Sequence, residues 1–312
     1  MRTLVTGGAG FIGHHLVRGL LARGDEVNVI DDFSSGHRSR LIPFRERITL
    51  VEGSILDPAA LDEAVGGCEV VYHEAAITSV ARSLTEPRVT NDVNVNGTIE
   101  VMLAAARHRV RRVVFAGSSS VYGVPDSLPC SETQRLSPRS PYGVSKLAGE
   151  HYVHTLGGLH GIGTVVLRYF NVFGPGQDLA SDYAAVVPEF VSAVVGGGTP
   201  TINGSGDISR DFVYVDNVTQ ANLLASSAPS PLTCNIASGL SCSLLELLRA
   251  ICDAAGRKVD PVFGPARAGD IPHSQADVSV ARAVLGYRLA VPFREGISRT
   301  VTSYREQAAA AQ

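Results

Sequence analysis

Three side chains in the middle of the chain could together move a proton to and from an alcohol. Tyr142 and Lys146 are four residues apart, so they share one face of a helix. A tyrosine hydroxyl is a poor base with an unperturbed pKa of about 10, but a nearby ammonium and a cationic cofactor both favour the phenolate. Ser118 could hydrogen-bond the same substrate oxygen. These residue types favour oxidation of a hydroxyl with Tyr142 as the base.

The first residues of the chain predict a site for the phosphates of a cofactor. Residues 3–6 read as a buried strand, and Gly7, Gly10 and Gly13 follow it into the amphipathic run Phe11–Arg23. Glycines at this spacing let a strand turn tightly into a helix whose backbone amides and dipole face an anion. Asp31 and Asp32 end the second strand, where they would accept hydrogen bonds from ribose hydroxyls and repel a 2'-phosphate. The pattern favours NAD over NADP.

Elements that could position these residues alternate along the first 170 residues. Strands are predicted at 3–6, 26–30, 48–52, 70–73, 112–116 and 164–170, with helical segments at 11–23, after Asp57-Pro58, at 93–107 and from Tyr142. This alternation predicts an α/β fold, a Rossmann-type doubly wound parallel sheet that binds ligands beyond the carboxyl ends of its strands. We expect an NAD-binding domain at 1–170, to which the chain returns around 210–235 with a strand near 212–215. Shorter segments rich in glycine and proline predict a smaller α/β substrate domain at 171–312.

Charge and composition argue against several other classes of protein. The 312 residues carry a formal net charge of −3, and no sustained lysine or arginine run suggests nucleic acid or an anionic membrane as a partner. No apolar run approaches the ~18 residues of a membrane span, and no signal peptide is expected before the first strand. The five scattered cysteines and nine histidines lack the spacing of metal ligands. We expect a cytoplasmic protein without a bound metal.

Seven motifs along the chain resemble those of one family. They are TGGAGFIG, NVNGT, SSSVYG, YGVSK, LRYFNVFG, SRDFVYV and RAGDIPHSQAD. The chain resembles the extended short-chain dehydrogenases/reductases over nearly its whole length, and within them the UDP-sugar 4-epimerases, especially the branch for hexosamine or hexuronic acid nucleotides. The resemblance implies oxidation of carbon 4 of the sugar, rotation of the keto-sugar and return of the hydride to its opposite face. NAD would be regenerated in each cycle and need never leave.

The resemblance also implies which residues contact the two ligands. Ser118, Tyr142 and Lys146 would be catalytic. NAD would contact Gly7, Gly10, Phe11, Ile12, Gly13, Asp31, Asp32, Ser34, Ser35, Gly36, Ser54, Ile55, Ala75, Ala76, Ile77, Asn94, Tyr142, Lys146 and Tyr169. The UDP-sugar would contact Thr78, Ser118, Ser119, Ser120, Tyr142, Asn171, Val187, Thr201, Asn203, Arg210, Arg267, Asp270 and Ser274. Many members carry Asp at position 54 and Lys at position 78, where this chain has Ser54 and Thr78.

Within this set, four residues would hold the uridine diphosphate, namely Asn171, Arg210, Arg267 and Asp270. Arginine suits a diphosphate because its planar guanidinium binds phosphate oxygens in pairs and keeps its charge. Lys146 would hold the nicotinamide ribose and lower the pKa of Tyr142.

Ser119 and Ser120 bear on the type of reaction, and Ser274 bears on the choice of substrate. Dehydratases and decarboxylases of this family carry an acidic residue at one or both of the positions of Ser119 and Ser120, so two serines favour epimerisation over elimination. Ser274 stands where glucose-restricted epimerases have a bulky Tyr, so UDP-glucose and UDP-N-acetylglucosamine are both expected to react.

The sequence leaves other outcomes open. UDP-glucuronic acid is one alternative, because Arg82 and the three serines could donate to a carboxylate, although Asp178 on the loop GPGQD would repel one. Another nucleotide-sugar oxidoreductase or dehydratase, and an inactive nucleotide-binding regulator on the same fold, are further alternatives.

The apolar surface of two predicted helices suggests an assembly. The helices at 93–107 and 143–156 carry more apolar side chains than one face of a sheet would cover. The resemblance implies that they pair across a two-fold axis, so a homodimer is expected.

Overall fold

The computed structural model describes residues 1–178, 185–265 and 271–310. Its strands are β1 (Arg2–Thr6), β2 (Glu26–Asp31), β3 (Ile48–Glu52), β4 (Val70–His73), β5 (Arg112–Ser118), β6 (Gly163–Tyr169), β7 (Asn171–Phe173), β8 (Thr201–Asn203), β9 (Ser209–Arg210), β10 (Phe212–Tyr214), β11 (Leu232–Ile236), β12 (Cys242–Ser243) and β13 (Val262–Gly264). Its helices are α1 (Phe11–Arg23), α2 (Pro58–Val65), α3 (Val80–Thr85), α4 (Pro87–Asn91), α5 (Gly97–Arg107), α6 (Pro141–His160), α7 (Val186–Val195), α8 (Val215–Ala225), α9 (Leu244–Ala255) and α10 (Phe293–Ala310).

The central sheet has seven parallel strands in the order β3-β2-β1-β4-β5-β6-β11. In register, Thr6 pairs with His73, His73 with Phe115, and Ser118 with Tyr169. The carboxyl ends of four neighbouring strands therefore lie side by side, which is where ligands bind in sheets of this topology. The predicted doubly wound α/β fold is confirmed.

Apolar layers on both faces of the sheet account for its stability. One layer, around Leu16, Leu20 and Val29, joins the sheet to α1 and α8, and the other, around Leu61, Met102 and Phe115, joins it to α2, α5 and α6. The inner strands are buried almost throughout, as expected for parallel strands that helices cover on both sides.

The return of the chain to the sheet differs from the expectation. The segment Phe212–Tyr214 was expected to rejoin the sheet, but it pairs in parallel with β7 outside it. The strand that completes the sheet is β11, which pairs with β6. The helix before it in the chain, α8, packs against α1. The prediction near 212–215 was wrong because β7 follows β6 after a single residue and offers the free partner that β10 takes.

The remaining segments form a smaller α/β unit on the carboxyl side of the sheet. Its core lies among α7, α9 and α10, around Phe190, Ile251 and Ile297. Two short pairs, β12 with β9 and β13 with β8, extend it. These strands have only two or three residues, so the packing of the helices holds the unit together.

Local signals explain where the two central helices begin. In α6, Pro141 occupies the first turn, and the Ser140 hydroxyl caps the helix by accepting from the Gly143 amide at 3.1 Å. The predicted helix at 93–107 is divided into a wide π-type turn, Asp92–Asn96, followed by α5. Turns of this kind often occur at functional sites, and this one carries Asn94. Among the described helices, none is long and apolar enough to span a membrane.

Candidate active site

The three predicted catalytic residues meet at the carboxyl end of β5. Ser118 is the last residue of β5, Tyr142 lies in the first turn of α6, and Lys146 follows one turn later. All three are less than 10% exposed. The cap at Ser140 therefore sets the height of Tyr142 and Lys146 above the strand that carries Ser118.

Lys146 is held by the strand beneath it. Its Nζ donates to the Ala116 carbonyl at 2.9 Å and lies 5.0 Å from the centroid of the Phe115 ring. Burial lowers the pKa of Lys146 to about 8, while the charge of Glu74 acts in the opposite direction. Lys146 therefore carries its charge below about pH 8 and loses it as the pH rises through that value.

The pKa of Tyr142 is not lowered by Lys146 as expected. In the protein alone, burial raises the pKa of Tyr142, and a hydrogen bond with Ser118 is the opposing effect. The Lys146 ammonium, which donates to the Ala116 carbonyl, does not offset the effect of burial on the phenol. A further positive charge at the site is needed to make Tyr142 a base at neutral pH.

A partly buried acid that the sequence analysis missed, Glu74, lies beside these residues. Glu74 directly follows β4 and accepts a 2.8 Å hydrogen bond from the Tyr169 hydroxyl, which in turn accepts from the Asn222 amide at 2.7 Å. Burial raises the pKa of Glu74 to about 7. The bridge from Glu74 to Tyr169 joins the ends of β4 and β6 across β5, whose carbonyl holds Lys146. No sequence pattern pairs residues 74, 169 and 222.

A second buried chain of hydrogen bonds crosses the sheet through His73. Thr6 Oγ1 accepts from the Ala75 amide at 3.1 Å and lies 2.8 Å from His73 Nδ1, while His73 Nε2 lies 3.0 Å from Thr98 Oγ1. Thr98 donates to the Asn94 carbonyl at 2.7 Å, so it must accept from Nε2–H, and Nδ1 must accept from Thr6. Burial lowers the pKa of His73 to about 3, which keeps the ring neutral.

The turn after β1 has the shape of a phosphate cradle. Gly7 has φ +70°, a conformation that side chains rarely adopt, and a Cβ on Gly13 would lie 2.1 Å from the Gly7 carbonyl oxygen. Gly10 caps α1 without a side-chain hydrogen bond, and the first turn of α1 carries no acidic residue. Bare backbone at a positive helix end fits the pyrophosphate of a dinucleotide.

Asp31 stands at the end of β2 as expected for a ribose ligand. Its two carboxylate oxygens accept from the Ala9 amide at 2.8 Å and from the Phe33 amide at 2.9 Å. Burial raises the pKa of Asp31 against these bonds. Each oxygen keeps a free lone pair, so the carboxylate can hold the turn and still accept from a hydroxyl.

Comparison with known protein families identifies one that covers the cradle, Asp31 and the three catalytic candidates. The model of the NAD dependent epimerase/dehydratase family matches residues 3–237. The chain belongs to the NAD-dependent epimerase/dehydratase family. The family assignment made from the motifs, and NAD as the cofactor, are thereby confirmed.

Individual members of the family are similar over the full length. The UDP-glucose 4-epimerase of Mycolicibacterium smegmatis is 40% identical over 98% of this chain and 99% of its own. The UDP-glucose 4-epimerase of Thermotoga maritima, solved with UDP-glucose, is 34% identical with a TM-score of 0.95, covering 99% of this chain and 100% of that one. The UDP-N-acetylglucosamine 4-epimerase of Methanobrevibacter ruminantium, solved with UDP-N-acetylmuramic acid, is 36% identical with a TM-score of 0.94, covering 98% of each chain.

Most of the other residues that are expected to contact NAD surround the cradle. Asn94 accepts from the Ile77 amide at 2.8 Å and donates to the Ile77 carbonyl at 2.9 Å and to Ser145 at 3.0 Å, so it fixes the loop after β4 to α6. Phe11 and Ile12 form the start of α1. The structure places the others on the loops that follow β2, β3 and β4, namely Asp32, Ser34, Ser35, Gly36, Ser54, Ile55, Ala75 and Ala76.

The residues expected to contact the UDP-sugar are more scattered. Asn171 donates to the Asp211 carbonyl at 3.3 Å, and the Arg210 guanidinium bonds the Ser209 and Pro272 carbonyls at 2.9 and 3.3 Å. Ser274 is partly buried, and its amide bonds the Ser209 carbonyl at 3.1 Å. The remaining described ones lie on the turn after β5, after β4 and on β8, namely Ser119, Ser120, Thr78, Thr201 and Asn203. Arg267 and Asp270 lie outside the described residues.

The side chain of Val187, which was expected to contact the UDP-sugar, is not accessible to a ligand. It lies in α7 with 2% of its surface exposed, inside the core of the smaller unit. Only its backbone is therefore available to a nucleotide in this conformation. The apolar residue type could not distinguish a ligand contact from a core position.

Asp178, which was expected to repel an acidic sugar, is paired with two basic side chains. Asp178 Oδ1 is 2.8 Å from Arg40 Nη2 and 3.0 Å from His37 Nε2, and both partners lie on the loop after β2. Its charge is therefore compensated on the cofactor side of the site. The sequence could not reveal this pairing, because the residues are 138 and 141 positions apart.

Proposed function

We propose that this protein is an NAD-dependent UDP-sugar 4-epimerase. The observation that carries the proposal is the group of Ser118, Tyr142 and Lys146 at the carboxyl end of β5, beside a cradle for a dinucleotide and with serines at 119 and 120. The named activities of full-length relatives support the same reaction. Without a general acid at 119 or 120, the keto-sugar has no residue there to protonate a departing hydroxyl.

In the proposed mechanism, Tyr142 exchanges one proton with the hydroxyl on carbon 4. As a phenolate it takes that proton while Ser118 donates a hydrogen bond to the same oxygen, and after the sugar has rotated it returns the proton to the new alcohol. Bound NAD supplies a reversible hydride acceptor and a positive charge that favours the phenolate. Lys146, fixed by Ala116, would hold the nicotinamide ribose. Proton and hydride both return to the sugar, so the product is an isomer.

The two ligands would occupy opposite sides of this group. Gly7, Gly10, Gly13 and Asp31 would hold the adenosine diphosphate part of NAD. The uridine diphosphate would take the place of the backbone carbonyls that now satisfy Asn171 and Arg210, with Arg267 and Asp270 as further contacts.

The substrate range is proposed to include sugars with a substituent on carbon 2. A serine at position 274 leaves room that a tyrosine would fill, so both UDP-glucose and UDP-N-acetylglucosamine would be accepted. UDP-glucuronic acid is a second candidate, and the observation that favours it is the pairing of Asp178 with Arg40 and His37, which would offset the expected repulsion.

The test is a direct comparison of three substrates with the purified protein. UDP-glucose, UDP-N-acetylglucosamine and UDP-glucuronic acid are incubated separately, products are identified by NMR, and NADH is followed by its absorbance. We expect the 4-epimers of the first two, with no accumulation of NADH. A dehydrated or oxidised product would contradict the proposed reaction, and no turnover of any of the three would support the inactive regulator.

A homodimer is part of the proposal. In the single chain Val144 and Tyr152 on α6 are 54% and 41% exposed, and Ile99 and Leu103 on α5 are only partly covered. A two-fold pairing of these helices would bury that face. Sedimentation at micromolar concentration should give a dimer, and a monomer would contradict the pairing.

The cytoplasmic location expected from the sequence also stays a prediction.

A further inference from the structure

One arginine outside the predicted site connects the cofactor cradle to the loop that follows β7. Arg40, at the end of a short turn after β2, donates from Nη1 to the Ala9 carbonyl at 3.1 Å and from Nη2 to the Gly176 carbonyl at 2.5 Å. The same Nη2 forms the 2.8 Å ion pair with Asp178. Its side chain is 10% exposed although its loop lies at the surface.

The contact with Ala9 fixes the cradle itself. The peptide group between Ala9 and Gly10 is bonded at both ends, because its carbonyl accepts from Arg40 and from the His37 amide while its N–H donates to the Gly7 carbonyl at 3.0 Å. The preceding peptide donates the Ala9 N–H to Asp31. Arg40 and Asp31 therefore orient two successive peptide groups of the turn that would face the pyrophosphate.

The contacts with Gly176 and Asp178 secure a loop from the other side of the site. Residues 174–178 are also bonded to α1 and α10, since the His15 ring bonds the Pro175 carbonyl at 2.9 Å and Tyr304 donates to the Gln177 carbonyl at 2.7 Å. An exposed ion pair alone contributes little. This guanidinium, however, is mostly buried and has three acceptors in two segments that are more than 130 positions apart in the chain.

We propose that Arg40 and Asp178 form a clamp that keeps NAD bound through successive turnovers. The clamp rests on the proposed function, in which NAD is regenerated and has no need to leave. It would hold the cradle in its binding geometry and tie the loop 174–178 across it. Arg40 is therefore a positioning residue for the backbone of the cradle. Because Asp178 balances its charge, Arg40 does not need a phosphate group as a counter-ion.

The experiment measures how fast NAD leaves, without using turnover. Wild type, Arg40→Met, Asp178→Asn and the double variant are loaded with NADH, and release is followed by fluorescence after a chase with excess NAD. A hydrogen bond to a charged group changes an equilibrium constant by about tenfold or more. We expect release about tenfold faster or more in Arg40→Met, and a smaller acceleration in Asp178→Asn. The double variant should release no faster than Arg40→Met, because the two residues act through one contact.

A matched control lies on the same turn. Arg38 is 58% exposed, pairs with Glu52 and stacks on Phe33, so Arg38→Met removes a neighbouring arginine without touching Ala9 or Gly176. Its release of NADH should equal that of wild type. UDP affinity, measured by calorimetry in every variant, should also be unchanged and shows that the variants are folded.

The outcomes separate the clamp from its alternatives. Equal release from wild type, Arg40→Met and Asp178→Asn would overturn the clamp and leave the epimerase proposal intact. Fast release from Arg40→Met with wild-type release from Asp178→Asn would also overturn it, because it would make Arg40 a direct phosphate ligand. A wild-type protein that binds neither NAD nor NADH would overturn both proposals.

Discussion

The surface expected to face NAD is built mainly from backbone and short side chains, with Arg40 holding it from behind, whereas the surface expected to face the sugar takes Asn171, Arg210 and Ser274 from short strands and a loop. Around the cradle, Ala9 and Asp31 are held by hydrogen bonds within 2.8–3.1 Å, and a Cβ on Gly13 has no room. On the sugar side, Arg210 comes from a two-residue strand and bonds carbonyls that a ligand could replace. We infer that the first side is preformed for one cofactor, and that the second can be altered without loss of the fold.

Tyr142→Phe tests the group between the two sides and should have the largest effect. Removing the hydroxyl removes the proton acceptor and donor, so kcat should fall by about 10³-fold, while UDP binds with unchanged affinity. The matched control is Tyr152→Phe, which loses a tyrosine hydroxyl on the same helix away from Ser118 and Lys146 and should keep full activity. Turnover above a few per cent of wild type would show that another group is the base.

Gly13→Ala tests whether the cofactor side tolerates any added atom. Because the new Cβ would lie 2.1 Å from a backbone oxygen, the cradle must deform, and NAD affinity should fall by about 100-fold or more. NAD content after purification and direct titration with NADH measure the loss. Gly158→Ala on α6, whose Cβ would meet open space, is the control and should retain NAD. A Gly13→Ala protein that keeps its NAD would contradict the comparison.

Ser274→Tyr tests the opposite expectation for the sugar side. The larger side chain should lower kcat/KM for UDP-N-acetylglucosamine by about 10- to 100-fold relative to UDP-glucose, without loss of NAD. Substrate pairs assayed in competition give this ratio directly. Ser279→Tyr, at an exposed position five residues further on, should leave the ratio unchanged. An equal decrease for both sugars would indicate that Ser274 does not face carbon 2.

Glu74→Gln should produce the smallest change, visible in the dependence of activity on pH. Lys146 carries its charge below a pKa of about 8 and loses it as pH rises through that value, and ionised Glu74 raises this pKa. Without the carboxylate the loss moves to lower pH, so activity at pH 8 should fall about two- to fivefold. At pH 6.5 the change should be small, because Glu74, with a pKa of about 7, is then largely protonated in wild type.

The glutamine in this variant can still accept the hydrogen bond from Tyr169, so the shift in the pH profile reports the charge of Glu74. Glu69→Gln, at a half-exposed position before β4, is the control. Superimposable profiles for Glu74→Gln and wild type would remove Glu74 from the electrostatics of the site.

Local signals were enough to predict most of the sheet and the cofactor side. The strands at 48–52 and 70–73 and the helix at 11–23 have the predicted bounds, because buried apolar runs and glycine turns act within a few residues. The cradle and Asp31 belong to one strand-turn-helix-strand unit of about 30 residues, so spacing alone placed them.

Contacts between distant segments could not be predicted in the same way. The Glu74–Tyr169 bridge, the His73 chain and the ion pair of Asp178 each join residues from different strands or loops, and the residue types alone do not specify a partner. The pairing of the segment Phe212–Tyr214 was misjudged, and the core position of the Val187 side chain was not foreseen, for a related reason. An apolar run shows that a segment is buried, but not against which neighbour.

The late arrival of β11 has a consequence for synthesis on the ribosome. β6 ends at Tyr169 and its outer neighbour β11 begins at Leu232, so the 62 residues 170–231 are translated between them. At about 5–20 residues per second this takes roughly 3 to 12 s, far longer than strand pairing. Throughout this interval the nascent sheet presents β6 as an unpaired edge, and α8 is translated only near its end, so α1 stays uncovered for most of it. Soluble yield during expression should therefore depend on how well chaperones shield that edge.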